Sequence, residues 1–198
     1  MNQESILTHF RETDALLEGH FELSSGLHSP KYLQCAKALQ YPADAANYGR
    51  AIGEALISHL SDSGISPETV TTVAAPAIGG LVIGYEVASA LNLRFIWTER
   101  KSGEMLLRRG FDVPRNEKII VVEDVITTGG SVRECVSVLE SLGAECVAGV
   151  SIIDRSNGVA DIGVPRIALV NLDVPSYKKE DCPLCASGIA VDKPGSRG

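Results

Sequence analysis

At 198 residues, with 44% hydrophobic and 22% charged side chains, the chain has enough apolar material to bury a core of its own without disulfides or metals. A formal net charge of −7 argues against the broad basic footprint that nucleic acid requires, though not against local sites for small anions. No apolar run approaches the roughly 20 residues of a membrane span, and the acid-containing start, MNQESILTHFRETDALLEGHFEL, does not read as a secretory signal.

In chain order, Ile6, Leu7, Phe10, Leu16 and Leu17 are spaced for one face of a helix over residues 3–19, closed by Gly19. Residues 21–35, FELSSGLHSPKYLQC, are rich in Ser, Gly and Pro and read as turns and short strands. Residues 42–61 carry apolar or small side chains every three or four positions, a second helix. From residue 70 the chain alternates. A short strand (70–75) leads through Pro-Ala-Ile-Gly-Gly into a helix (81–91), and another strand (94–98) precedes a polar, basic stretch from 99 to 117. A strand over 118–125, the turn Thr-Thr-Gly-Gly-Ser and a helix over 132–142 follow, with Gly143 placed as a C-terminal cap. Strands over 146–153 and 166–172 precede a Pro-, Gly- and Lys-containing tail (174–198) that packs last, if at all. Such alternation, with near-continuous apolar strands, implies an α/β protein whose mostly parallel sheet is flanked by helices on both faces, in one domain over 1–198.

The segment that carries chemistry is KIIVVEDVITTGGSVRECVSVLESLGA, residues 118–144. Four apolar residues, Ile119, Ile120, Val121 and Val122, deliver Glu123 and Asp124 toward the carboxyl end of a strand, where open α/β sheets bind ligands. Two adjacent carboxylates are costly there unless a cation or several hydroxyls offset them. Thr127, Thr128, Gly129, Gly130 and Ser131 then form a turn that opens into a helix, whose free N–H groups and positive dipole end suit a phosphate. A ribose 5-phosphate satisfies both halves. A plain strand–helix turn would explain the glycines but not the two acids. The spacing is neither that of a P-loop nor that of a dinucleotide fingerprint.

VVEDVITTGGS resembles the phosphoribosyl diphosphate motif of the type I phosphoribosyltransferases. The resemblance implies that Glu123 and Asp124 hold the ribose hydroxyls, with Asp124 counted, like Arg100 and Lys101, among the catalytic residues. Residues Val125, Ile126, Thr127, Thr128, Gly129, Gly130 and Ser131 would then form the phosphoribosyl-binding run. A second strand ends at Pro76, Gly79 and Gly80 before a helix. From pattern alone this is as readily a plain turn; in the resembled family it is the diphosphate loop. Orotate-specific members often carry a lysine there, where this chain has Gly79, so backbone amides would carry more of the diphosphate binding.

Residues 98–118 hold Arg100, Lys101, Arg108, Arg109, Arg115 and Lys118, six of the 18 basic residues. A solvated loop is the usual fate of such a run, but beside a polyphosphate it could clamp the leaving group and exclude water. In the family this is a mobile catalytic loop that often completes a neighbouring subunit's site, which implies a homodimer. Arg100 and Lys101 match its entry. The loop is shortened here, leaving Arg108 and Arg109 as candidates for the diphosphate contact.

Residues 21–35 are similar to the N-terminal signature of the orotate phosphoribosyltransferases, matching at Phe21, Leu23, Ser25, Gly26, Ser29 and Tyr32. That resemblance implies a small hood, built from residues 1–40 and the tail, over a core of residues 41–172, with Tyr32 stacked on the acceptor base. Ser24 stands where many relatives have lysine. Asp154-Arg155, followed by Gly158, matches an element whose arginine pairs with the orotate carboxylate, a task suited to a planar guanidinium. Orotate would then be held by Tyr32, Thr127 and Arg155. The implied reaction joins orotate and phosphoribosyl diphosphate to give orotidine 5′-monophosphate and diphosphate, with Mg²⁺ held mainly by the substrate and no protein metal ligands required. The alternatives are a transferase for another base, as in purine salvage, or a non-catalytic sensor of phosphoribosyl diphosphate.

Cys35, Cys135, Cys146, Cys182 and Cys185 are dispersed, as suits a reducing cytoplasm. Cys182-Pro-Leu-Cys185 is a lone Cys-x-x-Cys. Zinc would need two further ligands from elsewhere, and with no second pair or nearby His evident the expectation is two free thiols. His9, His20, His28 and His59 are scattered without a fixed role, and Trp97 and Met105 read as packing residues.

Overall fold

Buried-type runs separated by Gly- and Pro-containing turns assemble into one six-stranded sheet in the computed structural model, which describes residues 1–23 and 25–194. Ser24, the position of the expected lysine, lies outside the described residues, as do residues 195–198 of the tail. Helix α1 (Gln3–Glu12) starts at Asn2, whose side chain accepts the Ser5 N–H at 2.8 Å, and buries Ile6, Leu7 and Phe10. It does not continue to Gly19. Asp14 turns the backbone at φ 52°, and Leu16 and Leu17 enter β1 (Leu16–Glu22), paired antiparallel with β2 (His28–Leu33). An adjacent leucine pair fits a helix or a strand over so few residues, so the periodicity misled.

Two helices follow, α2 (Cys35–Leu39) and α3 (Pro42–Asp62), the latter with Pro at its first turn and Tyr48, Ile52, Leu56 and Leu60 buried. The alternation then runs β3 (Val70–Pro76), α4 (Gly80–Leu91), β4 (Arg94–Lys101), β5 (Glu104–Leu107), β6 (Lys118–Ile126), α5 (Gly130–Ser141), β7 (Glu145–Asp154) and β8 (Arg166–Asn171). The sheet order is β5-β4-β3-β6-β7-β8, parallel except for the antiparallel β4–β5 pair. Helices α3 and α4 bury Ile52, Leu56, Ile83 and Val87 on one face, and α5 buries Val132, Cys135, Val136 and Leu139 on the other. This is the α/β architecture that the alternation implied.

The basic stretch departs from the expected irregular loop. Strand β4 runs on to Lys101, and Ser102 and Gly103, at φ 54° and 90°, form a tight turn into β5, where Met105 is buried. Two positive-φ residues at the turn suit the twist of a hairpin. The tail also packs. The backbones of Tyr177 and His28 exchange two hydrogen bonds of 2.8 Å, and Asp192 bonds to Glu22 and His20 across helix α6 (Pro183–Ala186).

Candidate active site

Strand β6 sinks Ile119 to Val122 completely and carries Glu123 and Asp124 just past the centre of the sheet. Glu123 is buried and Asp124 half-buried. The Asp124 N–H donates to Glu123 Oε1 at 3.2 Å, and the Val125 N–H donates to Asp124 Oδ1 at 2.7 Å. Burial, and then the neighbouring Asp124 charge, push the Glu123 carboxyl up to about 9, and burial raises Asp124 as well. A carboxyl raised on folding stabilises the fold fully below its unfolded value near 4.5, and that contribution is lost as pH rises through about 9. Without ligands or Mg²⁺, Glu123→Gln should therefore gain thermal midpoint over the parent chain between these two pH values. A gain of about 3 °C corresponds to ~1 kcal/mol in a domain this size. A difference constant with pH, measured by calorimetry, would contradict the raised value.

Beyond Ile126, Thr127 and Thr128 are exposed, and Gly129 turns at φ 77°, where a Cβ would lie 2.6 Å from the Ile162 side chain. Only glycine fits there. Helix α5 begins at once with no side-chain cap, so the N–H groups of its first turn, at Gly130 and Ser131, face outward for an anion. Across from it, the turn between β3 and α4 presses on the acids. A Cβ at Gly79 would lie 3.0 Å from Asp124 Oδ1 and 3.1 Å from Glu123 Oε1, and one at Gly80 would lie 2.7 Å from the Val122 carbonyl. Two helix starts thus flank one acidic pair.

Beside the acids opens a cavity of about 590 Å³, lined among others by Tyr32, Val125, Thr127, Thr128, Arg155 and Lys193. The Arg155 N–H donates to the Ile126 carbonyl at 2.7 Å, fixing its backbone against β6. Its guanidinium Nε is buried with no hydrogen-bond partner among the described residues, and burial lowers its proton affinity. The adjacent acid is already committed: buried Asp154 pairs with Arg166 at 2.7 Å and accepts from Ser156. A half-buried guanidinium whose Nε has no acceptor among the described residues suits an anionic ligand. The Tyr32 ring lies 5.9 Å from Phe21 on the hairpin side of the same cavity. Lys193, paired with Glu22 at 2.6 Å, was not singled out in the sequence; a lysine in a polar tail gives no local signal of the wall it joins.

The basic residues are placed differently. Arg100 pairs with Glu134 at 2.7 Å, and Arg108 and Arg109 both pair with Glu99, at 3.4 and 2.8 Å. Lys101 is exposed at the end of β4. None of the four lines the cavity.

The expectation that no histidine accompanies Cys182 and Cys185 fails. His20, from β1, and His28, from β2, meet both cysteines, with all four ligating atoms within 4.8 Å of one another. Only chain folding brings them together, and the sequence signal is no more than a Cys-x-x-Cys with two distant histidines.

Residues 44–167 match the family model described as phosphoribosyl transferase domain. An orotate phosphoribosyltransferase of Caldicellulosiruptor bescii is 48% identical over 197 residues, covering all of this chain and 99% of its own. One from Thermotoga maritima is 50% identical over 187 residues, 94% of this chain and 95% of its own. Among solved structures, the orotate phosphoribosyltransferase of Aeropyrum pernix superposes with a TM-score of 0.66 at 23% identity, over 84% of this chain and 93% of that one. The Mycobacterium tuberculosis enzyme in complex with 5-phospho-α-D-ribosyl 1-diphosphate does so with a TM-score of 0.61 at 20% identity, over 84% and 95%. The structural likeness carries the fold, and the sequence identity goes further: the chain belongs to the phosphoribosyltransferase family, within its orotate phosphoribosyltransferase branch.

Proposed function

We propose that the chain transfers the phosphoribosyl group of 5-phosphoribosyl 1-diphosphate to orotate, giving orotidine 5′-monophosphate and diphosphate on the route to UMP. The observation that carries the acceptor is Arg155, half-buried in the wall of the cavity beside the acidic pair, with its guanidinium Nε buried and without a hydrogen-bond partner among the described residues. It suits a planar carboxylate. Tyr32 stacks on the ring and Thr127 hydrogen-bonds it, both residues lining the same cavity as Arg155. The first-turn amides of α5 and the hydroxyls of Thr127, Thr128 and Ser131 hold the 5′-phosphate. Glu123 and Asp124 hold the ribose hydroxyls, with Val125 and Ile126 spanning the two subsites. The diphosphate lies on the amides at Gly79 and Gly80.

The acceptor nitrogen attacks the anomeric carbon as the bond to diphosphate breaks, and no covalent enzyme intermediate forms. The chain contributes by positioning both substrates and by setting the Asp124 carboxylate near the positive charge that develops at that carbon. These two carboxyls, raised by burial and closely approached by the turn at Gly79, need a cation or hydroxyl donors to stay ionised, which fits Mg²⁺ at this end of the site. When bound, chiefly by the substrate's phosphates, Mg²⁺ neutralises the leaving diphosphate.

Arg100, Lys101, Arg108 and Arg109 close on the diphosphate from the β4–β5 hairpin and the segment after it, in a homodimer where they serve the partner's cavity. Their absence from the wall of their own cavity supports this, as does the exposed apolar row of Ile78, Val82 and Tyr85 beside the Gly79 turn. Lys101→Ala is expected to lower kcat by about tenfold or more with little change in the KM for orotate, and unchanged turnover would remove the clamp. Five unpaired cysteines support a reducing, cytoplasmic setting. The reaction is tested by diphosphate release, which should require orotate and Mg²⁺ together; release without orotate, or none with it, counts against transfer to this acceptor.

A further inference from the structure

We propose that His20, His28, Cys182 and Cys185 bind one zinc ion, which fastens the tail to the β1–β2 hairpin. Cys182 Sγ lies 3.6 Å from His20 Nε2, and Cys185 Sγ lies 3.7 Å from His20 Nε2 and 3.3 Å from His28 Nδ1. Zinc bonds of about 2.3 Å to sulfur and about 2.0–2.1 Å to nitrogen, at tetrahedral angles, put sulfur and nitrogen ligands about 3.5 Å apart. The two imidazole nitrogens, 2.8 Å apart, need only open by about half an ångström to fit the same tetrahedron.

The surroundings fit a ligand set as well as the distances do. His20 Nδ1 donates to the Ile189 carbonyl at 2.7 Å, which leaves the Nε2 lone pair directed at the two sulfurs. His20, His28 and Cys182 are buried, at 3%, 3% and 2% exposure, and Cys185 is half-buried, so the ion would be shielded from solvent. Four protein ligands leave no open position for water or substrate, which makes the site structural rather than catalytic. Binding joins the β1–β2 hairpin to the tail, which lies more than 150 residues further along the chain. The joined tail carries Val174, Ser176 and Lys193 in the wall of the cavity. Zinc would therefore hold one side of the acceptor pocket in place. The site stands whatever the pocket binds; only its effect on orotate rests on the function proposed above.

The full-length protein, purified without chelators from zinc-containing medium, is expected to hold about one zinc per chain by elemental analysis. Cobalt replacement should give the intense visible absorption of a tetrahedral thiolate site. Cys182→Ser and Cys185→Ser should each lose the metal. A zinc-selective chelator, followed by restored Mg²⁺, should lower the thermal midpoint and raise the KM for orotate more than that for phosphoribosyl diphosphate. A folded protein without zinc that gives no such spectrum on cobalt titration overturns the site, as does a Cys182–Cys185 disulfide in the freshly purified protein. If zinc is bound but orotate is not a substrate, the metal site holds and the acceptor assignment fails.

Discussion

Replacing Arg155 with Ala should raise the KM for orotate roughly 30- to 1000-fold, the effect of losing about 2–4 kcal/mol from a desolvated ion pair. The KM for phosphoribosyl diphosphate should move far less. The asymmetry follows from placement. Arg155 follows the end of β7 and lines the cavity with Tyr32, while the amides proposed to hold the phosphate belong to the start of α5. The fold should not suffer, because the guanidinium Nε has no partner among the described residues to lose and is itself costly to keep buried. Arg155→Lys should restore the charge but not the paired hydrogen bonds, and so recover only part of the affinity. Steady-state kinetics with each substrate varied in turn checks this. Equal losses for both substrates would remove Arg155 from the acceptor site.

Asp124→Asn should lower kcat/KM for phosphoribosyl diphosphate about 100-fold while leaving the thermal midpoint unchanged or higher. Hydrogen bonds from substrate hydroxyls to a carboxylate are worth about 1.5–3 kcal/mol, and an amide of the same shape keeps only part of that. The opposite sign for stability comes from the loss of hydration that the Asp124 carboxylate suffers in the free protein. Glu123 is buried and Asp124 half-buried beside it, burial raises each carboxyl, and the turn at Gly79 lies against both. An uncharged amide at this position removes that desolvation cost, an exchange of stability for function that active sites commonly show. Thermal unfolding and steady-state rates on the same preparation test it. A loss of activity that tracks a loss of stability would mean that Asp124 is structural.

The run from Ile119 to Ser131 was legible because everything it needs is contiguous: buried strand, acids, hydroxyl turn and helix start follow one another, and the fold adds only the opposing turn at Gly79. That Tyr32 and Arg155 would line one cavity was legible through resemblance alone. An arginine in a turn reads as surface, and nothing near it in sequence says that its Nε will be buried without a partner. The hairpin at Ser102 and Gly103 was obscured by the charges around it. Leu16 and Leu17, too few to show a period, drew the first helix too long. Least legible was the tail, since its partners lie at the other end of the chain: Lys193 with Glu22, and Cys182 and Cys185 with His20 and His28. Local pattern cannot register such pairings, because they exist only once the hairpin has formed and the tail has crossed it.

The most direct measurement offers the protein phosphoribosyl diphosphate and Mg²⁺ with orotate, uracil, hypoxanthine and adenine together, and identifies the nucleotides formed by chromatography. Uracil isolates the carboxylate, since it keeps the pyrimidine ring but gives Arg155 nothing to pair with. Orotidine 5′-monophosphate is expected as the sole product. A purine nucleotide, or uridine 5′-monophosphate formed as readily as the orotate product, would contradict recognition of orotate through Arg155.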